Sequence, residues 1–288
     1  MSSRKEKILA KLHELGAEPK RSLGQNFLIS DAVVEKILQA ATSAPFSDLV
    51  EVGPGLGAIT DDLLQLGRPM VLVELDRRFA ESWRKRAEST PIQVVETDAL
   101  KLDWNSLGLK PDSLFVSNLP YQISSSLVID RSLTPAGITR MVLMFQKEVA
   151  QRITATSSTK EYGLLTVIAQ TFWETQKVVD AGPGSFFPPP NVSSRVLSFK
   201  RRPTDWIQGD GVSAQGYLDF AKAAFSQRRK LLTRNLYGSY FGSREGFLPK
   251  IEELLVTHGH SATARAEELD PRAFVRLYLA SVALKGET

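Results

Sequence analysis

The sequence predicts an α/β fold, a parallel, doubly wound sheet followed by a small all-helical domain. Three observations carry this. From about Asp48, short apolar runs alternate with helical stretches. A Gly/Pro turn stands where the first run meets the first helix. Beyond residue 205 only helical periodicity remains.

Taken in order, Lys5, Glu6, Lys7 and Lys11 interleave with Ile8, Leu9 and Leu12, a short amphipathic helix within an N-terminal extension over residues 1–22. It lacks the apolar core and cleavage site of a secretory signal. Leu49-Val50-Glu51-Val52 is the first strand, and 58–66 the first helix of the alternating pattern. A second strand (71–75) and helix (77–88) follow, then further strands at 92–95, 114–116 and 141–145. The polar stretch from Pro203 to Gly211 breaks the pattern and places a boundary near residue 205, dividing 1–204 from 205–288. Helices are expected over 214–237, 246–257 and 271–284.

The composition narrows the function. With no cysteine, disulfides, thiolate zinc sites, iron–sulfur clusters and cysteine nucleophiles are excluded. That removes RNA methylation at pyrimidine carbon. The balance of 36 basic and 32 acidic residues permits a polyanionic partner without demanding one. No apolar run approaches the length of a membrane span, so no membrane partner is expected and the cytoplasm is the expected compartment.

Glu51-Val52-Gly53-Pro54-Gly55-Leu56-Gly57 lies at the turn from first strand to first helix. Glycine allows close backbone approach to a ligand and unusual dihedrals. The G-x-G-x-G spacing differs from the G-x-G-x-x-G of dinucleotide pyrophosphate turns, so a neutral or cationic ligand suits it as well as a phosphate. About twenty residues on, Glu74 ends the second strand, where a carboxylate can accept from two ribose hydroxyls. Asp98 follows the third strand and can accept from an adenine amine. Glycines and acids on three successive strand ends point to a nucleoside-type cofactor.

Asn118-Leu119-Pro120-Tyr121 follows the fourth strand. An adenine amine is a poor nucleophile because its lone pair is delocalised into the ring. The Asn118 side-chain oxygen and the Leu119 carbonyl, aimed at its hydrogens, would bind the developing positive charge better than the ground state. Pro120 stiffens the turn, and Tyr121 offers a ring face to a flipped-out base.

With Gln25-Asn26-Phe27-Leu28, these motifs stand in the order and spacing of the rRNA adenine dimethyltransferases. The sequence closely resembles the branch that modifies small-subunit (16S) rRNA, from about Arg21 through the C-terminal helices. The resemblance implies a Rossmann-like class I methyltransferase sheet and S-adenosylmethionine as cofactor, yielding S-adenosylhomocysteine, with no metal. Asn26 and Leu28 would cover the cofactor's methionine end, and Gln25, Gly53 and Gly55 would contact the same cofactor. Glu74 would hold its ribose, Asp98 its adenine, and Asn118 the junction with substrate. Phe186-Phe187-Pro188-Pro189-Pro190-Asn191-Val192-Ser193-Ser194 resembles the family loop F-x-P-P-P-K-V-D-S, whose leading aromatic stacks on the target adenine. That register selects Phe186, with Phe187 in the variable slot beside it. Asn191 replaces the usual lysine and Ser193 the usual aspartate.

The clearest basic cluster is Lys222, Arg228, Arg229, Lys230 and Arg234, with no acid between Phe220 and Gly238. At 100° per residue, all but Arg228 fall on an arc of roughly 140° opposite the apolar residues, a cationic stripe for phosphates. Arg228 falls on the apolar side, so it is ion-paired within the domain or the helix is irregular there. Gln227-Arg228-Arg229-Lys230 matches that branch's small-domain motif. His258-Gly259-His260 reads as a helix-ending turn rather than half a metal site. The four tryptophans show no platform spacing.

The expected activity is dimethylation of the amines of two adjacent adenines near the 3′ end of 16S rRNA within the small subunit, by a monomer. Three rivals stand beside it: the macrolide-resistance branch acting on large-subunit (23S) rRNA, a ribosome-assembly factor on the same scaffold and, most distant, a generic nucleotide-binding oxidoreductase. Pro54 and Leu56 in the turn argue against the first, and an intact Asn-Leu-Pro-Tyr against the second.

Overall fold

A computed structural model describes residues 3–20, 24–208 and 210–286. Arg21 and Ser22 of the N-terminal extension, its first two residues, and Gly209 of the boundary segment lie outside the described residues. The chain divides into two compact units: Met1–Ala150 with Thr175–Arg201, and Gln151–Glu174 with Arg202–Thr288. A single cut at residue 205 therefore does not separate them. Residues 151–174 join the C-terminal helices because their polar groups find partners there: Tyr162 Oη donates to the Leu269 carbonyl at 2.6 Å, and the Thr171 and Tyr217 hydroxyls are 2.8 Å apart.

The first unit opens with α1 (Arg4–Glu14), started by a capping box in which Ser3 and Glu6 bond reciprocally. Then come β1 (Phe27–Leu28), α2 (Asp31–Ala41), β2 (Leu49–Val52), α3 (Thr60–Leu63), β3 (Met70–Glu74), α4 (Arg77–Ala87), β4 (Ile92–Glu96), β5 (Ser113–Asn118), α5 (Tyr121–Leu133) and β6 (Ile138–Gln146). After α6 (Lys147–Ile153) and α7 (Leu164–Phe172) the chain forms β7 (Trp173–Ala181), β8 (Phe186–Phe187) and β9 (Ser194–Arg201). Seven strands form one sheet in the order β4-β3-β2-β5-β6-β9-β7. The pairs from β4 to β6 are parallel, whereas β9 runs antiparallel to β6, so the sheet is mixed rather than wholly parallel. Apolar residues of α2, the sheet and Phe186 make one continuous core.

The strand order reverses between β2 and β5: the chain runs outward through β3 and β4 and returns beside β2. A crevice at the carboxyl ends of strands is expected at such a switch point. The first helix is shorter than the predicted 58–66. One α-turn gives way to a 3₁₀ turn over Leu64–Leu66, closed by Gly67 in the left-handed region.

The second unit adds α8 (Ala214–Ala224), α9 (Leu232–Ser239), α10 (Phe247–Thr257) and α11 (Pro271–Gly286). Its core includes Tyr217 ringed by Phe172, Trp206 and Tyr278 at 5.1–6.0 Å. The single helix predicted over 214–237 is instead two, broken at residues 225–231. The Asn235 amide donates to the carbonyls of Ala224 and Gln227, and Arg228 donates to those of Thr159 and Lys160 and pairs with Glu267 at 2.6 Å. These distant partners outweigh a local helical preference that neither glycine nor proline interrupts. His258-Gly259-His260 does end a helix, with Gly259 at φ 79° and the Gly259 and His260 amides closing onto α10 carbonyls. Among the described residues no helix is long and apolar enough to cross a membrane.

Candidate active site

A cleft of about 230 Å³ opens at the switch point, lined by the turn after β2 and the ends of β3, β4 and β5. Gly53 and Gly55 lie on its floor, and Glu74 and Asp98 on one wall. Asn118 through Tyr121 form another, and Gln25, Asn26 and Leu28 cross over from β1 and the segment before it. The motifs read separately along the sequence thus converge on one cavity.

The turn needs its glycines for a reason beyond ligand approach. Gly55 and Gly57 have φ of 52° and 84°, and a Cβ at either would stand 3.0–3.1 Å from the rings of Phe27 and Trp83. The Trp83 indole N–H donates to the Gly55 carbonyl at 2.8 Å. Glu74, 6% exposed, accepts from the amides of Gly55 and Asp76 at 3.0 and 2.8 Å, one on each oxygen. Burial raises its carboxyl above the ordinary range against those donors. Each oxygen keeps a second lone pair for hydroxyls. Asp98 spends Oδ1 on the Leu100 amide at 3.0 Å, an Asx turn that fixes the carboxylate at the strand end.

Asn118 ends β5. Its Nδ2 donates to the Asn26 carbonyl at 3.2 Å, and the Asn26 amide reaches the Gly24 carbonyl at 3.3 Å. With the Asn118 nitrogen so committed, its oxygen is the atom presented for acceptance. Pro120 precedes α5, and Tyr121, the first residue of that helix, is held by a 2.7 Å hydrogen bond to the Ser194 hydroxyl. Burial raises its phenol.

Phe186 is not brought to the cleft. It is 2% exposed and paired with Leu28 through β1 and β8, inside the sheet core. Phe187 is half-buried, packed against the apolar group around Phe27 and Phe79. Of the two aromatics expected to clamp the base, Tyr121 and Phe186, Tyr121 lines the cleft. The cations Lys222, Arg229, Lys230 and Arg234 are exposed on the second unit. Arg229 and Lys230 sit in the break between α8 and α9 rather than on a continuous helical stripe.

Sequence reasoning missed one residue that lines this site and one that holds a lining residue in place. Glu51, buried in the middle of β2, lines the cleft with Oε2 lacking any hydrogen-bond partner among the described residues. Burial pushes its carboxyl to about 8 against the lowering effect of the nearby Thr60 hydroxyl, with Asp61 and Glu74 adding smaller upward contributions. Its place as the acid before the first glycine was the available signal. Asp76 receives the Gln25 amide at 3.1 Å and the Arg78 guanidinium at 2.7 Å, and Arg78 holds it well below the usual carboxylate range. The separation of 51 positions between Gln25 and Asp76 hid that contact.

Residues 16–258 match the family model described as ribosomal RNA adenine dimethylase. The chain belongs to the ribosomal RNA adenine dimethylase family. A protein of Bdellovibrio bacteriovorus named ribosomal RNA small subunit methyltransferase A is 48% identical over 278 residues, covering 96% of this chain and 98% of that one. One of the same name from Desulfitobacterium hafniense is 38% identical, covering 88% and 89%. Among solved structures, a dimethyladenosine transferase from Plasmodium falciparum superposes with a TM-score of 0.74 at 24% identity, covering 90% of this chain and 98% of that one, a likeness of fold. The 23S rRNA methyltransferase ErmE gives 0.62 at 26% identity, covering 88% and 98%. The fold is thus that of class I methyltransferases, and the family chemistry is transfer of methyl groups to adenine in ribosomal RNA.

Proposed function

We propose that this chain dimethylates the exocyclic amines of two adjacent adenines near the 3′ end of small-subunit (16S) rRNA, within the small subunit. The observation that carries the reading is the placement of Asn118. Its amide oxygen is the free end of a side chain pinned at its nitrogen, on the same cleft as the glycine turn, Glu74 and Asp98. The strong likeness to relatives named for the small subunit favours that substrate over the large one.

The cleft's lining fits S-adenosylmethionine. Buried Glu74 beside the turn suits ribose hydroxyls, Asp98 an adenine amine, and the unpartnered Glu51 oxygen a polar group of the same ligand. Gln25, Asn26 and Leu28 would close over its amino-acid end. When bound, this cofactor supplies an electrophilic methyl on a sulfonium, and neither a metal nor a covalent enzyme intermediate is needed. Asn118 and the Leu119 carbonyl orient the amine by accepting its hydrogens, and stabilise it as it becomes positive. Pro120 holds the turn, and Tyr121 provides the stacking face. Phe186 supports β1 from beneath in this reading.

The helical unit would meet rRNA phosphates through Lys222, Arg229, Lys230 and Arg234, with Arg228 holding the segment that presents them. We place the enzyme in the cytoplasm as a monomer.

The test is transfer of labelled methyl from S-adenosylmethionine to small subunits from a strain lacking the modification, followed by digestion and mass analysis. Dimethyladenosine in small-subunit RNA alone is the expected result. Label entering naked large-subunit RNA instead would move the chain to the resistance branch. No label, with the cofactor still bound, would turn the reading toward an assembly factor.

A further inference from the structure

The first helix reaches the cofactor turn from a distance of some fifty residues in sequence. Lys11 Nζ donates to the Leu56 carbonyl at 2.9 Å and pairs with Asp61 at 2.7 Å. One helical face back toward the N-terminus, the Arg4 guanidinium donates to the Ala58 carbonyl while pairing with Asp62 and with Asp31 of α2. Arg4 is largely covered, its side chain 16% exposed. On the same helix Ile8 and Leu12, with Ala17 beyond it, pack against Leu56 of the turn, Phe27 of the crossing segment and Phe79 of α4. Asp61 is shared with Arg86 of α4 at 2.6 Å. Burial would raise its carboxyl, but Lys11 and Arg86 hold it below the ordinary range.

The pattern is specific. A short glycine turn has carbonyls that no regular strand or helix bond satisfies, and three of them are taken by side chains from other elements. Gly55 goes to Trp83, Leu56 to Lys11 and Ala58 to Arg4. Two of those three donors belong to α1. The same helix packs on Phe27, within the run whose Gln25, Asn26 and Leu28 cross the cleft. α1 thus touches two walls of the cofactor cleft while contributing no residue to its lining.

We infer that α1 is a positioning element for the cofactor site, and that Lys11 and Arg4, through the Leu56 and Ala58 carbonyls, hold the turn after β2 in its ligand-accepting form. The inference rests on the cofactor reading given under the proposed function. A turn whose carbonyls are pre-bonded loses less freedom when a ligand settles on it, so the effect belongs to binding rather than to the transfer step. Neither cation touches a reacting atom.

The experiment compares the full-length protein with Lys11→Met, Lys11→Arg and Arg4→Met, using S-adenosylhomocysteine titration by calorimetry together with methyl-transfer kinetics. Lys11→Met and Arg4→Met should each weaken S-adenosylhomocysteine about five- to tenfold and raise the cofactor KM alike, with kcat at saturating cofactor moving less than about twofold. Lys11→Arg, which keeps a charged donor, should recover most of the loss. Arg140→Met is the control for lost stability alone. Arg140 pins another set of carbonyls in the same unit, those of Ala41, Ala44 and Pro45, which precede β2 whereas the turn follows it. It should lower the melting temperature and leave affinity unchanged.

Equal affinity in Lys11→Met and wild type overturns the inference. So does an Arg140→Met variant that loses affinity by the same factor, or a Lys11→Met variant in which kcat falls while KM stays. If the wild type binds no S-adenosylhomocysteine, the cofactor reading fails, and this inference with it.

Discussion

At the strand ends of the sheet unit, functional atoms are set by backbone. Asn118 is the last residue of β5, Glu74 the last of β3, and Glu74 is tied to two main-chain amides. In the helical unit, the candidate phosphate-binding cations Arg229 and Lys230 stand exposed on a turn whose shape is imposed by Asn235 and Arg228. The first region holds few groups, buried and oriented. The second holds several charges whose exact directions matter little, because phosphate attraction is long-range and tolerant of geometry. Substitutions in the cleft should therefore act strongly and on one kinetic quantity at a time. Those in the segment should act weakly and as a function of salt.

The largest effect is expected at Asn118. Replacing it by alanine removes the acceptor poised for the amine, and loss of one such transition-state contact costs roughly 10²–10³ in kcat. Cofactor affinity should stay within about threefold, because the glycine turn, Glu74 and Asp98 remain. Single-turnover methyl transfer with parallel cofactor titration separates the two quantities. Retained turnover in this variant would dissolve the distinction between an oriented cleft and a merely charged surface.

Next in size is Glu51, where the observable is stability. Its carboxyl titrates at about 8 in the folded protein, against an ordinary value of 4.5. Because the folded value is raised, the folded state binds more protons than the unfolded one between those limits. Stability is therefore highest at the acid side of the window and falls as pH rises through it. With the group almost fully buried, the loss between pH 5 and 8 should be on the order of 3 kcal/mol. Glu51→Gln, neutral throughout, should flatten that slope in chemical denaturation measured across the same range. A variant as steep as the wild type would show the dependence to lie elsewhere. Saturating S-adenosylhomocysteine, if it bonds the Glu51 carboxylate, should also reduce the slope.

What was legible in the sequence follows the same division. The strands bearing the cleft announced themselves as apolar runs, and their ends carried recognisable residues. Gly53, Glu74, Asp98 and Asn118 accordingly meet on one cavity. Period-two and period-3.6 patterns are local, and a site assembled at strand ends inherits their legibility. The break at residues 225–231 was invisible for the converse reason. Ser226, Gln227, Arg228, Arg229 and Lys230 carry no helix breaker, and the bonds that open the helix come from residues as distant as Thr159 and Glu267. Phe186 failed differently. The motif register identified a leading aromatic, but only the pairing of β8 with β1 determines that its ring faces the core.

Tyr121 sits between these extremes. Tyr121→Ala should cost about 1–3 kcal/mol in kcat/KM for RNA, the worth of one base–aromatic stack. Tyr121→Phe keeps the ring and loses only the Ser194 hydrogen bond, so it should retain most of the activity. If Phe proves as damaging as Ala, the hydroxyl rather than the ring face is what the substrate uses.

The smallest effects belong to the cationic segment, and there the salt dependence is the sharper readout. Arg229→Ala and Lys230→Ala should each weaken binding of rRNA only a few-fold near physiological salt. Each should lower the slope of log K against log salt by about 0.7–0.9, one phosphate contact's worth of released counterions. Arg228→Ala is the discriminating neighbour. Its guanidinium is already spent on Glu267 and on the carbonyls of Thr159 and Lys160. Its loss should lower the melting temperature while leaving the salt slope nearly unchanged. Binding measured from low to physiological salt would set the three variants side by side. An Arg228 variant whose slope falls as far as the other two would make that side chain a phosphate ligand, and would erase the difference drawn between residues that shape the segment and residues that it displays.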